Sequence, residues 1–135
     1  MQDCAWWCGL TQKDIFPAIN ALKNNLEKIA FDQSNYYFDI SKRMNSSESG
    51  TYFLPSYDEF LISYKSKYVS INQLHRTKAA TINGIFKPIV VANGEIVGIW
   101  RKTRAKNGYS IEPQLFEKEN IPVKKALKNL QKYFR

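Results

Sequence analysis

FKPIVVANGEIVGIWRKTRAKNGYSIEPQLF, residues 86–116 from Phe86 to Phe116, is the stretch whose punctuation decides the fold. Two Asn-Gly pairs, Asn93-Gly94 and Asn107-Gly108, each divide runs rich in β-branched and aromatic residues. Both positions of a two-residue hairpin loop take φ > 0, which asparagine and glycine tolerate, so the stretch predicts a three-stranded antiparallel meander. Counting outward from the first turn pairs Val91 with Ile96 and Ile89 with Gly98 on one face, and Val90 with Val97 and Pro88 with Ile99 on the other. Both faces are apolar, so this strand pair is expected to be buried on both sides. Counting from the second turn sets Ile111 across from Arg104 and Leu115 across from Trp100, with Thr103, Glu112, Arg101 and Gln114 on the opposite face. The sheet therefore grows more polar and basic towards its third strand.

Beyond the meander, Pro122 suits a first helical turn, and Val123, Ala126, Leu127, Leu130 and Phe134 mark one face of a terminal helix whose other side carries Lys124, Lys125, Lys128 and Lys132. Before it, TYFLPSYDEFLISYKSKY predicts a short strand that stops at Pro55, then an aromatic-rich segment. Residues 70–83 carry no pattern that assigns them. Further back, SKRMNSSESG at 41–50 is polar and without period, hence a linker or loop.

Thr11 to Leu26 reads as a helix with Ile15, Ile19, Leu22 and Leu26 on one stripe. Its start has two readings. Thr11 with Asp14 resembles a capping box, which would leave Pro17 inside the helix; a cap at Asp14 puts Pro17 in the first turn, where no bond is lost. The later start, or a bent first turn, is preferred. Asp3 to Gly9 forms a shorter helix ended by glycine. Leu26 to Phe31 and Tyr36 to Ile40 flank Asp32-Gln33-Ser34-Asn35 as a third hairpin. Helix, turn, helix, hairpin is the tail of a winged helix.

At 135 residues and 44% hydrophobic composition the chain can bury one ordinary core, or two small ones sharing an interface. No run of about 18 apolar residues exists, and MQDCAWWCG lacks the pattern of a secretory signal, so neither a membrane span nor membrane association is supported and a cytoplasmic protein is expected. Cys4, Cys8 and His75 are too few and too scattered for a metal site; two reduced, partly buried thiols are expected, with no cofactor. The net charge of +8 is uneven: residues 1–54 sum to −1 and residues 55–135 to +9. A basic part of this size suits an acidic partner such as nucleic acid.

Arg101, Lys102, Arg104 and Lys106 climb one strand to the second Asn-Gly turn, where several cations at phosphate spacing would meet DNA and Tyr109 could stack. Lys65, Lys67, Arg76 and Lys78 are secondary candidates. Plain solvated charge is the competing reading. Asp58 and Glu59 are adjacent and point to different sides of any regular element, which does not suit paired acid and base work. A structural role is expected for them, accepting backbone N–H groups after Pro55 or pairing with an arginine such as Arg101. Of Trp6 and Trp7, one is expected in the core and the other against a neighbouring element, with base stacking as the alternative.

Three segments in the same order, AWWCGLT at 5–11, FLPSYDEFLISYKS at 53–66 and GIFKPIVVANGEIVGIWRKT at 84–103, resemble the carboxyl-terminal part of bacterial winged-helix DNA-binding proteins that include alkylpurine and interstrand-crosslink DNA glycosylases. The resemblance spans nearly the whole chain. It implies a row of winged helices followed by a small β-barrel-like subdomain, binding to DNA, and base excision in the active members. Those members are considerably longer, and their catalytic Gln-x-Gln or Gln-x-Asp lies in the amino-terminal part. Here Gln2, Gln12, Gln33, Gln73, Gln114 and Gln131 are never two apart, and Gln12-Lys13-Asp14 falls in a segment aligned elsewhere. The chain thus resembles a carboxyl-terminal piece, from a short gene, a split gene or trimming, and is not expected to be an enzyme by itself.

The expected fold is α+β: a truncated winged helix at 1–41, a linker at 42–50, and a small antiparallel sheet or barrel-like subdomain with a C-terminal helix at 51–135. The expected role is the DNA-binding carboxyl-terminal part of a glycosylase-like repair protein, weak and non-specific on duplex DNA, partnered by an amino-terminal winged-helix chain. A non-catalytic protein-interaction or vestigial module is the rival class, and a hydrolase acting alone the third. The apolar stripe of the amino-terminal segment, with Trp6 and Trp7, further predicts a homodimer.

Overall fold

The first Asn-Gly turn forms as its residues dictate: Asn93 and Gly94 take φ of 51° and 84°, and Ala92 faces Glu95 across them. The computed structural model describes residues 1–31, 34–39, 41, 50–66, 69–106, 108–117 and 121–134. The fold is α+β, and the chain divides into two compact units, Met1–Ser47 with Ser63–Lys65, and Glu48–Ile62 with Ser66–Arg135. No described helix is long and apolar enough to cross a membrane.

The second unit is built on a four-stranded antiparallel sheet in the order β3-β4-β5-β6, with β3 at Thr51–Leu54, β4 at Ile89–Ala92, β5 at Glu95–Ala105 and β6 at Gly108–Leu115. Every residue of β4 is buried, as the two apolar faces of the meander require. One face packs Ile89, Val91, Ile96 and Ile99 with Leu61, Ile71 and Ala79, beneath α3 (Glu59–Ile62), a 3-10 turn (Gln73–His75) and α4 (Arg76–Ala79). The other face packs Val90, Trp100, Ile111 and Phe53 with Val123, Leu127, Leu130 and Phe134, from α5 (Val123–Gln131) and the 3-10 turn after it. Trp100 Nε1 donates to the Leu54 carbonyl at 2.8 Å, tying the face to β3.

Two registers differ from the count made on sequence. Val91 faces Ile96 as expected, but Val90 faces Gly98 and Ile89 faces Ile99, because Val97 is an extra residue in a β-bulge. Gly98, the residue after the bulge on the same strand, lets β6 approach closely on the other edge: a Cβ there would stand 2.6 Å from the Gln114 carbonyl oxygen. In the second hairpin Ala105 faces Gly108 and Lys102 faces Ile111, a slip of two residues from the expected pairing. A slip of two leaves every side chain on its face, so Trp100, Arg104, Ile111 and Leu115 still share one side. Asn107 itself lies outside the described residues.

In the first unit α1 (Gln2–Cys8) ends at Gly9, at φ 73°, and β1 (Leu26–Phe31) pairs with β2 (Ser34–Asp39) in an antiparallel hairpin. The expected turn residues Asp32 and Gln33, Ile40, and residues 42–49 of the expected linker lie outside the described residues. The intervening helix α2 (Gln12–Ala21) starts at Thr11 and stops before Leu22, earlier at both ends than preferred. The capping box wins: Asp14 Oδ2 accepts from the Thr11 N–H at 3.1 Å and from its hydroxyl at 2.6 Å, while Asp14 N–H donates to Thr11 Oγ1 at 3.3 Å. Pro17 is consequently inside the helix and forgoes one backbone bond.

Candidate nucleic-acid interface

β5 is eleven residues long, and its outer half runs past the two cores: Arg101, Lys102, Arg104, Ala105 and Lys106 are all exposed. Alternation divides the cations. Arg101 lies on the α3–α4 side, where its Nε and Nη2 reach Glu112 Oε2 at 2.8 and 2.7 Å. The expected pairing of Arg101 with Asp58 or Glu59 does not form, because the two-residue slip brings Glu112 directly opposite Arg101. Lys102 lies on the α5 side, with Nζ 4.5 Å from the Tyr109 ring centre and 4.6 Å from that of Phe134. The two rings meet edge to face at 6.4 Å, so Tyr109, though 48% exposed, already holds a cation and a neighbouring ring. Arg104 faces Tyr109 across the ladder.

Arg101, Lys102, Arg104, Lys106 and Tyr109 thus share one hairpin. Arg76 and Lys78 lie on α4 in the same unit, and Lys78 Nζ stands 5.5 Å over the Phe116 ring. Lys65 belongs to the other unit, where its N–H donates to Asp3 Oδ1 at 2.9 Å. Lys67 lies outside the described residues. Sequence reasoning missed Glu112 as the partner of Arg101 and Phe134 as the second ring over Lys102. The only signal for Phe134 was its place at the end of the terminal apolar stripe.

The residues with catalytic chemistry are engaged otherwise. Asp58 Oδ1 accepts the Phe60 N–H at 2.9 Å, capping α3, as its structural reading expects. His75 Nε2 sits 2.9 Å from Glu117 Oε1, with its ring 4.9 Å from that of Phe116. These residues line a cleft of about 140 Å³ with Asn72, Glu95, Ile96 and Val97. A second cleft, in the first unit between α2 and the β1–β2 hairpin, holds about 200 Å³. Both are smaller than the roughly 300 Å³ at which small-molecule sites begin.

Cys4 and Cys8 are free and exposed rather than partly buried. Partial desolvation, with Cys8 adding to it, pushes the Cys4 thiol above its ordinary pKa, so it is no activated thiolate. Among the described residues no three His, Cys, Asp or Glu side chains gather as a metal site. Trp6 and Trp7 are 56% and 64% exposed, so neither is the core residue expected of the pair.

The family described as DNA glycosylase AlkZ-like matches residues 1–132. Comparison with curated proteins finds no match. Among solved structures, the Streptomyces sahachiroi DNA glycosylase AlkZ superposes with a TM-score of 0.64 at 18% identity, over 88% of this chain and 32% of that one. The likeness establishes a shared fold, and the chain spans about a third of the length of that relative.

Proposed function

The chain belongs to the AlkZ-like DNA glycosylase family, and we propose that it is a DNA-binding part of a repair protein of that kind, gripping duplex DNA without sequence preference and not excising a base by itself. The observation that carries this reading is the β5–β6 hairpin: a projecting strand pair with Arg104 and Lys106 exposed towards its tip, in a part of the chain with a charge of +9. Phosphates are its natural complement. The order α1, α2, β1, β2 supports a winged-helix tail for the first unit. Absence of catalysis follows from the missing Gln-x-Gln or Gln-x-Asp motif. The one chance match, Gln12-Lys13-Asp14, has its carboxylate locked in the cap of α2.

Fluorescence anisotropy across a salt series tests the reading. With about four phosphates engaged, log K falls against log salt with a slope of about −3 to −4. Changing Arg104 and Lys106 to Ala flattens the slope by about two; changing Arg101, held by Glu112, flattens it less. Absence of binding at low salt would remove the DNA reading, and an unchanged slope would move the contact elsewhere. Release of an alkylated purine by the purified chain, above a mock preparation, would overturn the claim of inactivity.

A second reading concerns the first unit. Trp6, Trp7, Leu10, Phe16, Leu22 and Phe31 are each more than half exposed, which favours a protein partner for this unit: an amino-terminal winged-helix chain or a second copy. Light scattering at micromolar concentration separates them, since only the second copy makes the isolated chain a dimer.

A further inference from the structure

α1 carries both cysteines of the chain, Cys4 and Cys8, one helical turn apart. A spacing of four residues puts the two side chains on one face of the helix, offset by about 40° around its axis. The frame that sets this spacing is closed at both ends: Ala5 N–H donates to the Met1 carbonyl at 3.0 Å, and Gly9 N–H to the Ala5 carbonyl at 3.0 Å. Both thiols are free and exposed. They also act on each other, since after partial desolvation it is Cys8 that keeps the proton on Cys4.

The spacing selects what such a pair can do. Cβ atoms four residues apart on a helix stand about 5–6 Å from one another, whereas a disulfide needs them about 3.8 Å apart. Direct oxidation to a disulfide would therefore have to unwind α1. A single ion between the sulfurs spans the gap instead: two metal–thiolate bonds of about 2.3 Å in line set the sulfurs about 4.6 Å apart. The ligand count narrows the ion further. Among the described residues no three His, Cys, Asp or Glu side chains gather, and Asp3, the carboxylate next to Cys4 in sequence, accepts the Lys65 N–H at 2.9 Å. Two ligands are too few for zinc, which takes four, and enough for a soft ion satisfied by two thiolates, as copper(I) is. We infer that Cys4 and Cys8 form a two-thiolate site for a soft monovalent ion of the copper(I) class, bridging the first and last turns of α1. Two thiols and one Cu⁺ give a bis-thiolate complex of net charge −1 and release two protons to solvent. Because those protons must leave, and the Cys4 thiol holds its own more tightly than usual, affinity rises with pH.

The reduced full chain is titrated anaerobically with copper(I) against the chromogenic chelator bicinchoninate, while thiolate-to-copper absorption in the near ultraviolet is followed in parallel. The wild type takes one ion per chain, stays monomeric on binding, develops the absorption, and gains affinity between about pH 6 and about pH 8. Cys4→Ser and Cys8→Ser, changes at exposed positions whose folding circular dichroism verifies, each weaken binding at least about a hundredfold. Cys8→Ser combined with Trp6→Cys, which keeps two thiols but moves the second to the far side of the helix, does not restore it. A single-cysteine variant that binds as the wild type does overturns the site, and so does full recovery in the variant with the moved thiol. One ion shared by two chains, seen in light scattering as a copper-dependent dimer, overturns it as well. Displacement of copper(I) by an equal concentration of zinc would do the same, and so would a wild type that takes no copper(I) from the chelator at any pH in this range.

Discussion

In the sheet unit each face of the sheet is covered from within the unit, Ile89 and Val91 by the α3–α4 side and Val90 and Trp100 by α5. In the helical unit Ile15 is the one buried hydrophobic side chain among the described residues, and both tryptophans are more than half exposed. The sheet unit has finished its core and spends its surface on charge. The helical unit leaves its apolar stripe showing, so its stability and its partner are linked questions. The proposed function divides the work along the same line, with nucleic acid met by the sheet unit and protein by the helical one.

Core substitutions break this comparison most sharply. Gly98→Ala and Ile89→Ala should each cost about 2–5 kcal/mol in urea melts, the first because the new Cβ would stand 2.6 Å from a backbone oxygen, the second by leaving a cavity. Trp7→Ala, on the exposed side of α1, should change stability by no more than about 0.5 kcal/mol. An equal cost there would mean that the helical unit has a core after all. Trp100→Phe keeps most of the packing and loses the bond to the Leu54 carbonyl, for about 1–2 kcal/mol. Lys102→Ala removes the cation held by Tyr109 and Phe134 and should cost about 0.5–1 kcal/mol; Lys102→Met, which keeps the stem, separates the charge from the packing.

The smallest effect is a pH dependence in the helical unit. Hydrogen bonds from Thr11 hold the Asp14 carboxyl below its ordinary pKa, and those from Ser41 do the same for Asp39. A lowered carboxylate contributes stability that is complete above its unfolded pKa and is lost as the pH falls through the folded value. Thermal melts between neutral and acid pH should therefore weaken α2 and the β1–β2 hairpin on acidification, and Asp14→Asn should flatten part of that loss. Superimposable profiles for wild type and variant would show that the cap carries no such coupling.

Sequence reads these two regions unequally, for physical reasons. Asn93-Gly94 and the doubly apolar Ile89–Ala92 run specify a buried hairpin locally, so the turn and the burial were legible. The bulge at Val97 was not, since an extra residue leaves no periodic mark, and its one trace is Gly98. Propensity alone opposed Pro17 inside a helix, yet the reciprocal Thr11–Asp14 bonds outweighed the lost backbone bond. The cations of β5 were visible as a cluster. Which of them are free was not, because the partners of Arg101 and Lys102 are fixed by strand register and by Phe134 far along the chain. The His75–Glu117 contact is similarly long-range, 42 residues apart.

Backbone amide shifts on titration with a short duplex at low salt test most directly the claim that the sheet unit meets DNA and the helical unit does not. The account predicts the largest shifts at Lys102–Lys106 and Gly108–Ser110 of β5 and β6, with α1 and α2 unmoved. Shifts concentrated in Gln2–Ala21, with β5 and β6 silent, would contradict it.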